Sequence, residues 1–369
     1  MKNHLPPAKE SLIDTSHFLS LLGFVAFCAF ALVGQINTWV SPIAVLFLAI
    51  AVMMAVHHAE VIALRVGPSM GALILALSVT VIEVGLIASM MTNDSPDSSV
   101  IARDTVFAAV IIVTNGIMGI CFFAGGLRYK EVGFHFGGAS SLLSVLVVLS
   151  GLTLILPNYT TSTSIGTYTP GQLIAVSIAC LVLYCSLVFS QTVTHRDYYS
   201  PLTKQDEHDL NIDEYVPSAR KAWLSFGGLV VTLVSVIGLA KVLSPIIEEG
   251  VNAMGAPRSI VGIAIAILVL APETWAAISA ARANQLQTSL NLALGSGAAS
   301  IALTVPAVTA FSLMTDRQLV LGLEPKETVF LLMTFVAGGL TLGGGKSTAL
   351  MGLVHLVILF IFLAFSFIP

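Results

Sequence analysis

Eleven stretches of this chain are apolar for long enough, or nearly so, to cross a hydrocarbon layer about 30 Å thick. They fall at 18–36, 42–57, 69–92, 102–125, 139–157, 171–191, 223–243, 258–281, 288–312, 327–342 and 349–368, the second and tenth being the shortest. In a bilayer each backbone amide must find its partner within the protein, which makes helices the natural form for such runs. The expected fold is therefore an all-α polytopic membrane protein with eleven transmembrane helices. Composition agrees: 56% of residues are hydrophobic and 10% charged, against about 25% charged in a soluble domain. Secreted and cytosolic enzymes are poor readings of such a chain. With a net charge of −4 there is no basic surface for nucleic acid.

Cys28, Cys121, Cys180 and Cys185 all lie inside apolar runs and form no CxxC pair, so they read as small hydrophobes. Residues 1–14 are polar, and the run after His17 reads as a retained helix because so many others follow it. An odd number of spans puts the termini on opposite sides. With the N-terminus in the cytoplasm, eleven Lys and Arg residues fall inside (Lys2, Lys9, Arg65, Arg128, Lys130, Arg196, Lys204, Arg220, Lys221, Arg282 and Lys346). Five fall outside: Arg103, Lys241, Arg258, Arg317 and Lys326. The positive-inside bias favours N-in, C-out. The longest polar stretch, 192–222, would be a cytoplasmic linker, and its acids Asp206, Glu207, Asp209, Asp213 and Glu214 could concentrate cations.

A weak internal repeat divides the chain. Leu77–Ser89 and Ile267–Ser279 are both apolar spans with one acid near the middle, Glu83 and Glu273, and a serine six residues later. The following span in each half is rich in small and hydroxyl residues. The expected organisation is a tail and first helix (1–41), a five-helix repeat (42–191), the linker (192–222) and a second five-helix repeat (223–369). Five being odd, the second repeat enters the membrane from the opposite side, the inverted construction common among secondary transporters.

Acids are almost absent from the spans, and Glu83 and Glu273 each lie about fourteen residues into theirs. A carboxylate that deep usually faces a site or an aqueous cavity. Two carboxyls sharing one buried site titrate as a coupled pair, and the doubly ionised empty site is very unfavourable. Two protons neutralise it, and so does one divalent cation; a monovalent cation with one retained proton does too. Neutral states can pass through a closed, dry intermediate, whereas the empty charged site cannot easily. Proton–cation exchange follows from that asymmetry.

Calcium takes six to eight oxygens, and two bidentate glutamates supply at most four. Thr80, one turn before Glu83, is a further candidate ligand. Pro272 removes a backbone donor before Glu273, and a helix broken there would present carbonyl oxygens. Asn115, Asn291, Ser296 and Ser300 complete the candidate set, the two serines lying one turn apart among glycines and alanines that suit close helix packing. Gly343–Thr348 lacks the earlier glycine of a phosphate loop and reads as a flexible turn. His57-His58-Ala59-Glu60 lacks zinc-protease spacing and is set aside as a motif, a proton-accessible or pH-sensing role at the inner end of the second span being only the lesser alternative.

Several runs resemble bacterial calcium/proton antiporters of the ChaA type, in the calcium/cation antiporter superfamily. They are Ser78-Val-Thr-Val-Ile-Glu83-Val, Ala102-Arg-Asp-Thr-Val-Phe-Ala-Ala109, Asn115-Gly-Ile, Gly125-Gly-Leu-Arg128, Gly138-Ala-Ser140, Gln191–Tyr198, Ala271-Pro-Glu273 and Asn284–Ser296. The resemblance implies an N-terminal helix plus two inverted five-helix repeats, with Glu83 and Glu273 exchanging a cation for protons. The wider group carries Gly-Asn-Ala before each glutamate, which this chain lacks, and Thr274 stands where a histidine often follows the second one.

The expected protein is a secondary transporter, not an enzyme, in a bacterial cytoplasmic membrane. It would export Ca2+, with Na+ and K+ left open, in exchange for protons. Inorganic cations, protons and lipid are its partners, and no cofactor is expected because calcium is cargo. A passive cation channel and a membrane ion sensor are the alternatives.

Overall fold

The computed structural model describes residues 15–33, 40–66, 68–91, 99–200, 216–253, 257 and 259–368. Among these residues the chain is nearly all helical. The helices are α1 (Thr15–Val33), α2 (Ser41–Val66), α3 (Pro68–Met91), α4 (Ile101–Tyr129), α5 (Phe136–Tyr159) and α6 (Pro170–Thr194). They continue with α7 (Ala219–Ala253), α8 (Ser259–Arg282), α9 (Leu286–Thr315), α10 (Pro325–Leu342) and α11 (Ala349–Phe367). Nine are long and apolar enough to cross a membrane. The other two are α3, with the shorter apolar stretch Ala76–Met91, and α10, whose first turn carries Lys326 and Glu327. The short run at 42–57 extends to 26 residues because His57, His58, Glu60 and Arg65 continue the same helix. The polar residues 1–14 and the acidic segment 206–214 lie outside the described residues.

Helix starts follow local chemistry. Thr169 and Gln172 form a reciprocal capping box with Pro170 in the first turn of α6, and Glu324 and Glu327 do the same around Pro325 for α10. Each box satisfies two of the otherwise orphaned amides, and proline costs nothing at that position. α4 contains a π-turn, Ile112–Ile117, and α5 passes through a second, Gly151–Ile155, before a closing 3-10 turn. Pro272 leaves α8 unbroken: the helix runs from Ser259 to Arg282 with the proline inside it. A break at Pro272 is therefore absent, because one missing amide can be absorbed within a long packed helix.

The helices form two compact units, one of residues 1–78 and 213–243, the other of 79–212 and 244–369. In the first, α1 lies along α2. Ser20 Oγ donates to the Ser16 carbonyl at 2.7 Å and lies 2.8 Å from His58 Nε2. The His58 ring fills the notch left by Gly228 of α7, where any Cβ would sit 2.5 Å from Nε2.

In the second unit, hydrogen bonds between loops define two ends. At one, Glu131–Gly133 (β1) pairs antiparallel with Lys346–Thr348 (β2), with Val132 opposite Ser347. Tyr129 Oη donates to the Arg282 carbonyl there at 3.0 Å, and Asn291 Nδ2 to the Tyr199 carbonyl at 2.6 Å. At the other end the Leu321 and Gly322 amides both donate to Gly166 O at 2.9 Å, Val320 N to Ser99 O at 3.1 Å, and Arg317 Nη1 to Met91 O at 2.6 Å. Tracing the chain between these ends, α4, α6, α8 and α10 run toward the ribbon, while α3, α5, α9 and α11 run away from it. The helices matched by the repeat, α3 with α8 through α6 with α11, therefore run in opposite directions. Packing is exchanged as well: α4 lies against α11, and α9 against α6.

Lys346-Ser-Thr is thus a strand rather than part of a flexible turn. Gly345, at φ 65°, turns the chain into it. An exposed ion pair between Lys346 and Glu131 at 3.4 Å adds little by itself; the paired backbone holds the ribbon. Glu131→Cys with Thr348→Cys, in a chain with its four native cysteines replaced, is expected to cross-link on mild oxidation, since directly paired residues lie about 5 Å apart. A pair that stays reduced under conditions that oxidise a positive control would contradict the ribbon.

Candidate functional site

Glu83 sits on α3, eight residues before the helix ends, and is 1% exposed. Its carboxylate meets α9: Ser300 Oγ lies 2.7 Å from both Oε1 and Oε2, so one hydroxyl hydrogen is shared between two acceptors. Thr304, one turn further along α9, is fully buried, and its hydroxyl makes no hydrogen bond. Thr80 is buried three residues before Glu83 on the same face of α3. Glu273 is 8% exposed on α8, the helix that packs along α9 and α4. Thr274 beside it satisfies its own hydroxyl by donating to the Leu270 carbonyl at 2.7 Å.

The remaining candidates divide. Ser296 lies one turn before Ser300 and is half-buried. Asn291 stands at the ribbon end, where it donates to the Tyr199 carbonyl and accepts from Gln287 Nε2 at 2.9 Å. Nine residues separate it from Ser300, about 13 Å along the helix axis, so it serves the loop packing there. Asn115 is fully buried in the π-turn of α4, but its amide faces α10 and α11. Its Nδ2 donates to Thr334 Oγ1 at 2.8 Å, and its Oδ1 lies 2.9 Å from His355 Nδ1. The structure therefore brings Ser300 to Glu83 and brings Asn115 to His355. The serines that follow the two glutamates in the repeat have different settings: Ser89 is buried and Ser279 exposed.

Sequence reasoning missed Thr304 and His355. The four-residue spacing of Ser296, Ser300 and Thr304 was a visible signal. His355 is the single ionisable side chain in its span, which marks it equally. The His57–His58 motif lies in the other unit, where the His17 and His57 rings stand 4.9 and 5.9 Å from that of His58.

A buried carboxylate met by a hydroxyl from a second long apolar helix defines a polytopic membrane protein with a polar site inside its helical core. The chain belongs to the sodium/calcium exchanger protein family, whose model matches residues 36–193 and 224–368. It is 43% identical over 320 residues to the y4hA protein of Sinorhizobium fredii, covering 86% of each chain. It is 31% identical over 304 residues to the sodium-potassium/proton antiporter ChaA of Escherichia coli, covering 82% of each. Among solved structures, native YfkE matches with a TM-score of 0.72 at 17% identity, over 96% of this chain and all of that one. The H+/Ca2+ exchanger CAX matches at 0.67 and 14% identity, over 95% and 87%. These two likenesses concern the fold.

Proposed function

We propose that this chain is a cation/proton antiporter of a bacterial cytoplasmic membrane that exports Ca2+, with Na+ and K+ as alternative cargo, and that Glu83 and Glu273 hold cation and protons in turn. The observation that carries this reading is the Glu83 carboxylate, sealed from solvent and held by Ser300 of α9, 217 residues away in sequence. A group that costly to bury is expected to serve the transported ion. Among the described residues no three His, Cys, Asp or Glu side chains are grouped to hold a metal. A bound cation would therefore draw its other oxygens from Ser300, Thr304, Thr80 and backbone or water, a set that hard cations accept. The names of relatives lend support: one is a sodium-potassium/proton antiporter and another a Ca(2+)/H(+) antiporter from Aphanothece halophytica.

Exchange follows from charge. The site is neutral with two protons or with one divalent cation, and each neutral form can cross an occluded state that the doubly ionised empty form resists. The ribbon end carries Arg128, Lys130, Arg196, Arg282 and Lys346, which assigns it to the cytoplasm by the positive-inside rule. The N-terminus then lies in the cytoplasm too.

Proteoliposomes with an acidic interior and a pH-sensitive dye test the reading. Adding calcium, sodium or potassium outside should alkalinise the interior. Cation flux with no opposing proton movement would instead identify a channel, and binding with no flux a sensor. Ser300→Ala should raise KM for the cation about tenfold, the weight of one hydrogen bond to a charged group, with Vmax much less affected. Thr80→Val and Ser296→Ala should likewise act on KM more than on Vmax. An unchanged KM in Ser300→Ala would remove α9 from the site.

A further inference from the structure

We propose that His355 is a positioning residue for the exchange site: it fixes Asn115, and through it the π-turn of α4 against which α9 is seated beside Glu83. The inference rests on the antiporter reading above.

A π-turn adds one residue to a helical turn and misaligns its neighbours, so it persists where surrounding contacts hold it, often near functional sites. Here Thr114, Asn115 and Gly116 of the turn are all fully buried. Asn115 brings an amide with several hydrogen-bonding positions into the middle of a membrane-length helix, where an unmet polar group is expensive. Two contacts answer it. Thr334 of α10 accepts from Nδ2, and His355 of α11 meets Oδ1. With the amide oriented this way, Oδ1 can only accept, so Nδ1 of the imidazole carries the hydrogen. Nε2 is then the acceptor, and Thr341 Oγ1 lies 3.1 Å from it as donor. One neutral ring thus ties α4 to α10 and α11, with both nitrogens satisfied.

The ring is admitted by glycine. Gly119 follows Asn115 by one turn of α4, and a Cβ there would lie 3.1 Å from His355 Cβ and 3.3 Å from Gly352 O. The same π-turn has a second contact. Val113, two residues before Asn115, packs on Gly297 of α9, where an added Cβ would come within 3.1 Å of Val113 Cγ1. Gly297 is three residues before Ser300, the donor to Glu83. His355 and Ser300 therefore bear on a single turn of α4, by way of Asn115 and Val113. Loss of the imidazole would leave Oδ1 without its donor and let the turn relax to ordinary α geometry. Val113 and the seat of α9 would shift with it.

Purified variants in proteoliposomes, with calcium as probe, provide the test. His355→Leu should raise KM at least tenfold while Vmax stays within threefold of wild type. His355→Asn, whose amide nitrogen stands near the place of Nδ1, should bring KM back to within threefold. His355→Gln keeps size and polarity but moves the donor toward the place of Nε2, so the raised KM should persist. Asn115→Leu combined with His355→Leu should be no worse than either alone, since both act through one contact. Thr341→Val, which leaves the Asn115 contact intact, should stay within twofold. A wild-type KM in His355→Gln, or effects of His355 and Asn115 that simply add, overturns the inference while leaving the antiporter reading in place. If His355→Leu cannot be purified, the contrast between the Asn and Gln variants decides the matter. A wild-type chain that moves no protons for calcium, sodium or potassium overturns the antiporter reading itself, and this inference with it.

Discussion

Glu83→Gln and Glu273→Gln, made singly, are each expected to cut calcium-driven proton movement by more than a hundredfold while the protein inserts and purifies normally. Glutamine keeps the size of the side chain, and its carbonyl oxygen still accepts from Ser300, which in the native chain lies 2.7 Å from both carboxylate oxygens of Glu83. What disappears is one negative charge and one exchangeable proton. A divalent cation facing a single carboxylate leaves the loaded site with a net positive charge in a low-dielectric interior, a penalty of several kcal/mol. At about 1.4 kcal/mol per factor of ten, that exceeds two orders of magnitude. A monovalent ion escapes the penalty, because one carboxylate neutralises it without any proton. Sodium or potassium can therefore still displace the one remaining proton in a single variant, so the large loss is specific to the divalent cation. Dye-monitored proteoliposomes read the flux, and size-exclusion profiles establish that the protein is intact. Calcium exchange within threefold of wild type in either variant would remove that glutamate from the mechanism.

The second large effect is on folding. Gly126→Leu and Gly352→Leu should each destabilise the protein by more than about 3 kcal/mol, the upper range for overpacking. These glycines lie where α4 meets α11. A Cβ at Gly126 would overlap the Ala349 backbone nitrogen and come within 2.8 Å of Ala349 Cα and Thr348 C. One at Gly352 would overlap the Phe123 nitrogen and reach 2.7 Å from Gly119 O. The obstacles are backbone atoms, so no rotamer change relieves them. Association of helices in lipid depends on such close approach, because water supplies no drive to bury apolar surface there. Gly295→Ala is the control, since its added methyl meets nothing within 4 Å. Thermal unfolding in detergent should separate the three. A Gly352→Leu protein as stable as Gly295→Ala would mean that α4 and α11 do not pack as described.

The helices were legible in the sequence because their cause is local: long apolar runs bounded by charge and proline. Glu83 and Glu273 were legible for the same reason, as deep acids in apolar surroundings. Ser300 was named for its spacing, and its hydrogen bond to Glu83, 217 residues away in sequence, depends on packing that no local pattern encodes. Pro272 was a fair signal for a broken helix, yet α8 continues through it. Lys346-Ser-Thr carries no strand pattern of its own and becomes a strand because Glu131–Gly133 lies ready to pair. The π-turn at Ile112–Ile117 was invisible, since Thr-Asn-Gly suits many conformations, and Asn115 was placed among the cation ligands because its partner His355 lies 240 residues on.

The exchanged packing of the second unit bears on how the protein is made. α4 takes its close neighbour from α11, made much later in the chain, whereas α9 takes its own from α6, made much earlier. α4 must therefore wait in the bilayer with its glycine groove open until α11 has been made. Assembly of the unit cannot simply follow the order of synthesis, and α11 is the helix that closes the groove of α4.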